Sequence, residues 1–362
     1  MTDAIGSKIL GAPADRVDGP LKVAGAAPYP SDVSLPGLVH AALVHATIAV
    51  GTITRIDTAR AEAATGVLTV ITHENAPALP DGPMTQLGPS LQFPLKDNRV
   101  LYHRQQVAIV VAQTREQAAS AAQLVELEYE ESQAILGIGN PLAPVVANPG
   151  GMDTVRGDAA AALASAEVVY DQEFTIAAET NNPLGLFATV AHWAGGRLTV
   201  HDSTQWPTQA RTSLATLFSV PEENVRVLIA YLGGGFGAGL RTWPHTVLTV
   251  LAARTVNRPV KLVLTRPEMF TTIGHRPQTA QRLRIGTTRD GRLLAIDHEA
   301  TSTRATEEPN LDLIAMRTSS MYACENLATR DRQEPDTQVG RSHSSDIPIP
   351  SCSRTSTSNS SS

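Results

Sequence analysis

PEENVRVLIAYLGGGFGAGLRTWPHTVLTVLAARTV (221–256) reads as a strand, a glycine turn and an apolar helix. Its centre, GGGFGAG (233–239), is the strongest chemical signal in the chain. Glycines between a strand and a helix let backbone N–H groups approach an anion, and a helix N-terminus adds favourable partial charge. Pro244 falls where a first-turn proline is tolerated. Three readings stay open: a structural turn, a dinucleotide fingerprint, or a different cofactor site. Gly233, Gly235 and Ala238 fit the fingerprint G-x-G-x-x-A. That motif needs an acid about 20 residues on to hold a ribose hydroxyl, and 240–267 contains no Asp or Glu. Arg266 leaves only the 2′-phosphate form, an NADP-dependent reductase. The third reading draws on DSTQWPTQAR (202–211), where a strand ends in a Ser-Thr-Gln group.

Outward from this unit the pattern stays mixed. ATVAHW (188–193) and RLTVHDST (197–204) suit a hairpin turning at 194–196, and TQARTSLATLFSV (208–220) suits a helix. VKLVLTR (260–266) reads as a buried strand, and LRIGTTRDGRLLAIDHEA (283–300) as a hairpin with Asp290 and Gly291 at its tip. GDAAAALASAEVVYDQEF (157–174) reads as a short helix and a strand. Nearer the N-terminus, LVHAALVHA (38–46), GVLTVITHE (66–74), QVAIVVA (106–112) and LEYEE (127–131) read as strands. Helices are expected at IDTARAEAA (56–64) and TREQAASAAQLVE (114–126), the latter with a Thr114–Gln117 capping box; a Pro/Gly-rich loop covers 76–94. The pattern predicts an α+β chain: a self-contained α/β domain over 1–131, a linker over 132–156, a second domain over 157–330 and a disordered Ser-rich tail over 331–362. Limited proteolysis is expected to nick first after Arg330 and then between Ser132 and Arg156.

Composition narrows the function. The 362 residues are 42% hydrophobic and 18% charged, a globular balance, and a net charge of -6 offers no basic field for nucleic acid or anionic lipid. Two cysteines, Cys324 and Cys352, exclude a disulfide scaffold and an iron–sulfur cluster held by this chain alone. No signal peptide and no apolar run of about 20 residues is visible, so a cytoplasmic protein that does not enter the membrane is expected.

The order DSTQ, GGGFG, RPVKLVLTRPEMF (258–270) resembles the molybdenum-binding large subunit of the xanthine dehydrogenase/aldehyde oxidase family, in its bacterial separate-subunit branch. DGPLKVAGAAPYPSDVSLPGLVHAALVHATIAVGTI (18–53) resembles the opening of that family's hammerhead α/β domain. VLYHRQQVAIVVAQTREQAASAAQLVELEYE (100–130) resembles the end of that domain. The resemblance covers roughly 17–330. It implies the hammerhead domain followed by the first part of a molybdopterin-binding α+β domain. It also implies a molybdenum hydroxylase that oxidises an aldehyde or N-heterocycle with oxygen from water. The metal would be held by a molybdopterin, in a dinucleotide form, and by no protein side chain. Electrons would pass to [2Fe–2S] and FAD groups on the two partner subunits of a heterotrimer.

By the resemblance Gln205 hydrogen-bonds a molybdenum oxo ligand, and an amide suits this because it donates without adding charge. Gly234, Gly235, Phe236 and Gly237 match the cofactor-facing turn; a core aromatic is the competing reading of Phe236. The chain departs from the family in three places. NNPLG (181–185) puts Gly185 where the family commonly has an acid. Gly239 and Leu240 stand where many purine-oxidising members carry a Lys-Glu pair, which favours an aldehyde over a purine. MYACENLATR (321–330) still matches, but Arg341 and the Ser-rich tail match nothing, and the family's general base is absent from this chain, so its catalytic residues are unknown. The chain alone is accordingly expected to be inactive, and a truncated, non-catalytic remnant is the alternative. His192, His201 and His245 are read as structural, and Glu268 and Glu299 as solvated helix and hairpin positions.

Overall fold

The computed structural model describes residues 11, 13–79, 94–147, 153–306, 313–337 and 353–354. QVAIVVA forms the strand Gln106–Ala112, buried at every position, as a strand covered on both faces must be. It lies between Val39–His45 and Val67–Thr72 in a seven-stranded sheet. The sheet continues through Val260–Val263, Ala188–Ala194 and Arg197–Asp202 to Val225–Leu228 at its edge. Strand alternation divides the core. Ile109 and Val111 join Leu214, Trp243, Leu248 and Leu251 on one side, while Val110 joins Val44, Val70 and Ile53 on the other. The helices Pro207–Phe218 and Pro244–Val256 carry the first side; the latter is buried from Pro244 through Ala253, as its nearly all-apolar sequence requires.

Val39–His45 runs parallel to Val260–Val263, with Val39 opposite Val260. The expected self-containment of 1–131 is therefore corrected: three of its strands complete a sheet begun by the second region. Long-range pairing of this kind leaves no local sequence signal. The linker is also corrected. Within 132–156, Val146–Ala147 and Thr154–Arg156 pair with Asn326–Asp336. That strand belongs to a second sheet ordered Ser353–Arg354, Val168–Ile176, Thr279–Thr287, Leu293–Ala305, Asn326–Asp336 and Val146–Ala147. A third, three-stranded sheet contains Gly51–Asp57, a strand the sequence reading passed over; the helix expected at 56–64 shrinks to Ala59–Glu62.

The tail does not begin at 331. Asp331, Gln333, Glu334 and Asp336 are buried in Asn326–Asp336. Glu334 accepts the Gly139 N–H at 2.7 Å and Asp336 accepts the Gly137 N–H at 3.1 Å. Asp331 accepts the N–H groups of Ile314, Ala315 and Met316. Backbone donors thus satisfy a polar stretch that composition alone marks as solvated. Arg330 is mid-strand and donates to Asp297 at 2.8 Å, which withdraws the expected cut there. The rest of the expected tail, with Arg341 and Cys352, lies outside the described residues apart from 353–354, as does 80–93 of the expected loop. Among the described residues no helix is long and apolar enough to cross a membrane.

Candidate functional site

The site is built on the end of one strand. Arg197–Asp202 buries alternate residues, Leu198, Val200 and Asp202. The third is a carboxylate in a core position. Asp202 Oδ1 accepts from the hydroxyls of Thr189 at 2.5 Å and Thr246 at 3.1 Å. Burial pushes its pKa up to about 6 against those hydrogen bonds and one from the Ser203 N–H. This knot ties the hairpin to the helix Pro244–Val256. Directly after it the chain turns out. Ser203 Oγ accepts the Ala188 N–H, and Thr204 Oγ1 donates to the Gly239 carbonyl at 3.0 Å.

Gln205 then closes on the glycine turn. Its N–H donates to the Gly239 carbonyl at 2.7 Å, and its Oε1 accepts the Gly239 N–H at 3.0 Å. Because Oε1 is pinned, the planar amide leaves Nε2 as a donor with no partner among the described residues. A Cβ at Gly235 would stand 2.3 Å from Gln205 Cδ, so only glycine admits this approach. Phe236 and Gly237 have φ of 48° and 85°, the left-handed region. The N–H groups of residues 233–237 donate to nothing among the described residues. Trp243, fully buried, holds the far end of the turn through Nε1 to the Ala238 carbonyl at 2.6 Å.

The loop 181–185 packs over the turn. Asn181 Nδ2 donates to the Phe236 carbonyl at 2.5 Å. Arg266 donates to Asn182 Oδ1 at 2.6 Å and to the carbonyls of Pro183 and Leu184, both at 2.7 Å. Gly185 faces Gly233. A cavity of about 540 Å³ opens beside them, lined by Tyr29, Asp32, Gly185, Phe187, Gly233 and Gly234 among others. Leu184, on its wall, is 94% exposed, and on the turn and its flanks Phe236 is 56% exposed, with Leu240 and Trp206 also exposed.

The structure thus brings Gln205, Gly234, Gly235, Phe236 and Gly237 together, and it corrects several expectations. Phe236 is no core aromatic. The long helix starts only at Pro244, after a short 3-10 turn Ala238–Leu240, so the glycine turn is not at its N-terminus. The strand before the turn is the sheet edge, and Arg266 is spent on the loop, which removes the dinucleotide reading. Glu268 is buried and caps its own helix, with its carboxylate accepting the Thr265 N–H at 2.6 Å; Glu299 is exposed. His245 is buried against Phe187 and kept neutral, its pKa lowered to about 3 by burial. Among the described residues no three His, Cys, Asp or Glu gather as metal ligands. Sequence reasoning missed Asp202 and the loop-holding role of Arg266. Strand alternation from Leu198 marks the first; nothing local marks the second.

Two family models match: the aldehyde oxidase and xanthine dehydrogenase a/b hammerhead domain over residues 24–133, and the molybdopterin cofactor-binding domain over 144–333. The aldehyde oxidoreductase molybdenum-binding subunit of Escherichia coli is 38% identical over 302 residues, 82% of this chain and 40% of that one. The carbon monoxide dehydrogenase large chain of Afipia carboxidovorans is 30% identical, covering 79% of this chain and 38% of that one. Among solved structures, carbon monoxide dehydrogenase from Oligotropha carboxidovorans shares the fold, with a TM-score of 0.79 at 24% identity, over 92% of this chain and 45% of that one. The chain belongs to the molybdopterin-binding large-subunit family of aldehyde oxidases and xanthine dehydrogenases, with a hammerhead domain followed by a molybdopterin-binding domain. It spans about two-fifths of the length of these relatives.

Proposed function

We propose that this chain forms one wall of the molybdenum-cofactor site of an aldehyde-oxidising hydroxylase, with Gln205 and residues 234–237 holding the cofactor. The observation that carries the proposal is the donor set: five consecutive unpartnered N–H groups beside an amide whose free end is fixed as a donor. Such a cradle fits a phosphate- and oxo-bearing group, and the glycines let it approach. The bound molybdopterin, in a dinucleotide form, would supply two-electron oxidation with oxygen from water, and the electrons would leave to [2Fe–2S] and FAD on partner subunits. The protein's part is position and electrostatics. Gln205 donates without adding charge, and Asp202 holds it in register from below. The exposed apolar side chains of Leu184, Phe236 and Leu240 favour the hydrocarbon part of an aldehyde. With glycine at 185 and leucine at 240, no side chain there pairs with the polar edge of a purine. No general base is assigned to this chain, and a cytoplasmic location is part of the proposal.

The test places this chain's residues in the matching segment of the Escherichia coli subunit, expressed with its own partners. Molybdenum content and aldehyde-dependent dye reduction are then measured with and without Gln205→Leu. Both should fall about 10–100-fold, the usual cost of losing a group that supports a metal centre. Unchanged molybdenum would refute the cofactor role of Gln205. An assembled complex without molybdenum would favour the non-catalytic alternative.

A further inference from the structure

A second cavity, of about 500 Å³, lies away from the glycine turn, against the strands Val39–His45 and Val260–Val263 and the helix Arg115–Ala122. Its polar lining includes His45, Arg104, Arg115, Gln123 and Glu268, with Thr47 and Thr265. Two of these groups, His45 and Arg104, are in unusual states. His45 is nine-tenths buried, and its Nε2 has no hydrogen-bond partner among the described residues, standing 3.7 Å from Glu268 Oε1. Arg104 Nε is also buried and unsatisfied, and its guanidinium makes no hydrogen bond or ion pair with any described residue. Arg104 further sits at φ 59°, the third position of a turn closed by the Gln105 N–H on the Tyr102 carbonyl. That position suits glycine. Backbone strain at a non-glycine residue is worth a functional question when the side chain it delivers is an unpaired cation in a cavity.

We propose that this cavity binds a phosphate group that retains a proton, either inorganic phosphate or a phosphate monoester. The Arg104 fork matches a pair of phosphate oxygens, and Arg115 adds a second positive charge at the wall. The His45 Nε2 becomes a donor once an acceptor is present, and burial keeps the ring neutral, with its pKa lowered to about 3. Glu268 sets the specificity. One of its oxygens is taken by the Thr265 N–H, and the other is open to accept a proton from the ligand. Inorganic phosphate at neutral pH keeps at least one O–H to give it, and a monoester, whose second ionisation lies near about pH 6, keeps one in its monoanion. Sulfate carries none, so its oxygens would face the Glu268 carboxylate unprotected.

The test is calorimetric titration of the chain with inorganic phosphate, sulfate and glycerol phosphate at about pH 6, where a large share of the monoester keeps its phosphate O–H. Saturable one-to-one binding of phosphate is expected, with sulfate at least about tenfold weaker. Tighter binding of glycerol phosphate than of phosphate would assign the site to a monoester, and equal binding to the free ion. Arg104→Gly suits the turn and should raise the unliganded melting midpoint while abolishing the phosphate-induced shift. Glu268→Gln keeps the helix cap, since glutamine serves in a capping box, and should erase the preference over sulfate. Absence of saturable phosphate binding to the unsubstituted chain, equal binding of sulfate, or full phosphate binding by Arg104→Gly would overturn the proposal.

Discussion

The hairpin Ala188–Ala194 with Arg197–Asp202 and the glycine turn above it treat polar groups in opposite ways. In the hairpin, Asp202 and Thr189 are buried and are satisfied together with Thr246 of the helix Pro244–Val256. In the turn, residues 233–237 present N–H groups that meet no acceptor among the described residues. Between the two, residues 203–205 belong to both, fixed below through Ser203 to Ala188 and above through Thr204 and Gln205 to Gly239. A receptor with unpaired donors needs a rigid base, because donors that are free to relax would pair with nearby carbonyls.

That contrast breaks most easily at its base. Asp202→Ala would leave two buried hydroxyls without their acceptor and should cost about 2–4 kcal/mol of unfolding free energy, read by urea denaturation. Nearly as large an effect comes from pH. The folded pKa of Asp202 is about 6 against an ordinary 3.8, so between those values the folded state holds a proton that the unfolded state has lost. The stability Asp202 contributes is full below about pH 4 and falls as pH rises towards about 6. Urea midpoints between pH 4 and 7.5 should show this fall in the unsubstituted protein and lack it in Asp202→Asn. Smaller still is Trp243→Phe, which keeps an aromatic ring in the core but removes the hydrogen bond to Ala238 and leaves a small void; about 1–2 kcal/mol is expected. If instead the turn tolerates this change with no loss, its far end is not held by Trp243.

Much of this was legible locally. QVAIVVA gave its strand to the residue, and Thr114 with Gln117 forms the expected capping box. The hairpin turns at Gly195 and Gly196, both at positive φ. Gln205 and the turn were marked by residue type and order, which are local too. What stayed hidden was non-local. Val39 opposite Val260 joins the two regions with side chains that any buried strand uses. Arg266 reaches carbonyls of the loop 182–184, and carbonyls have no sequence signature. Asp331 to Asp336 read as solvated because their partners are backbone N–H groups from 137–139 and 314–316.

The central claim is that the glycine turn and Gln205 form one cofactor-holding unit. Gly235→Ala tests it most directly, since the added Cβ would stand 2.3 Å from Gln205 Cδ and must displace that side chain. In the Escherichia coli subunit carrying this chain's residues, molybdenum per subunit should fall about tenfold or more on this substitution. The melting midpoint should hardly move, because Gln205 itself is exposed. Equal molybdenum in the two proteins, or none in either, would contradict the account.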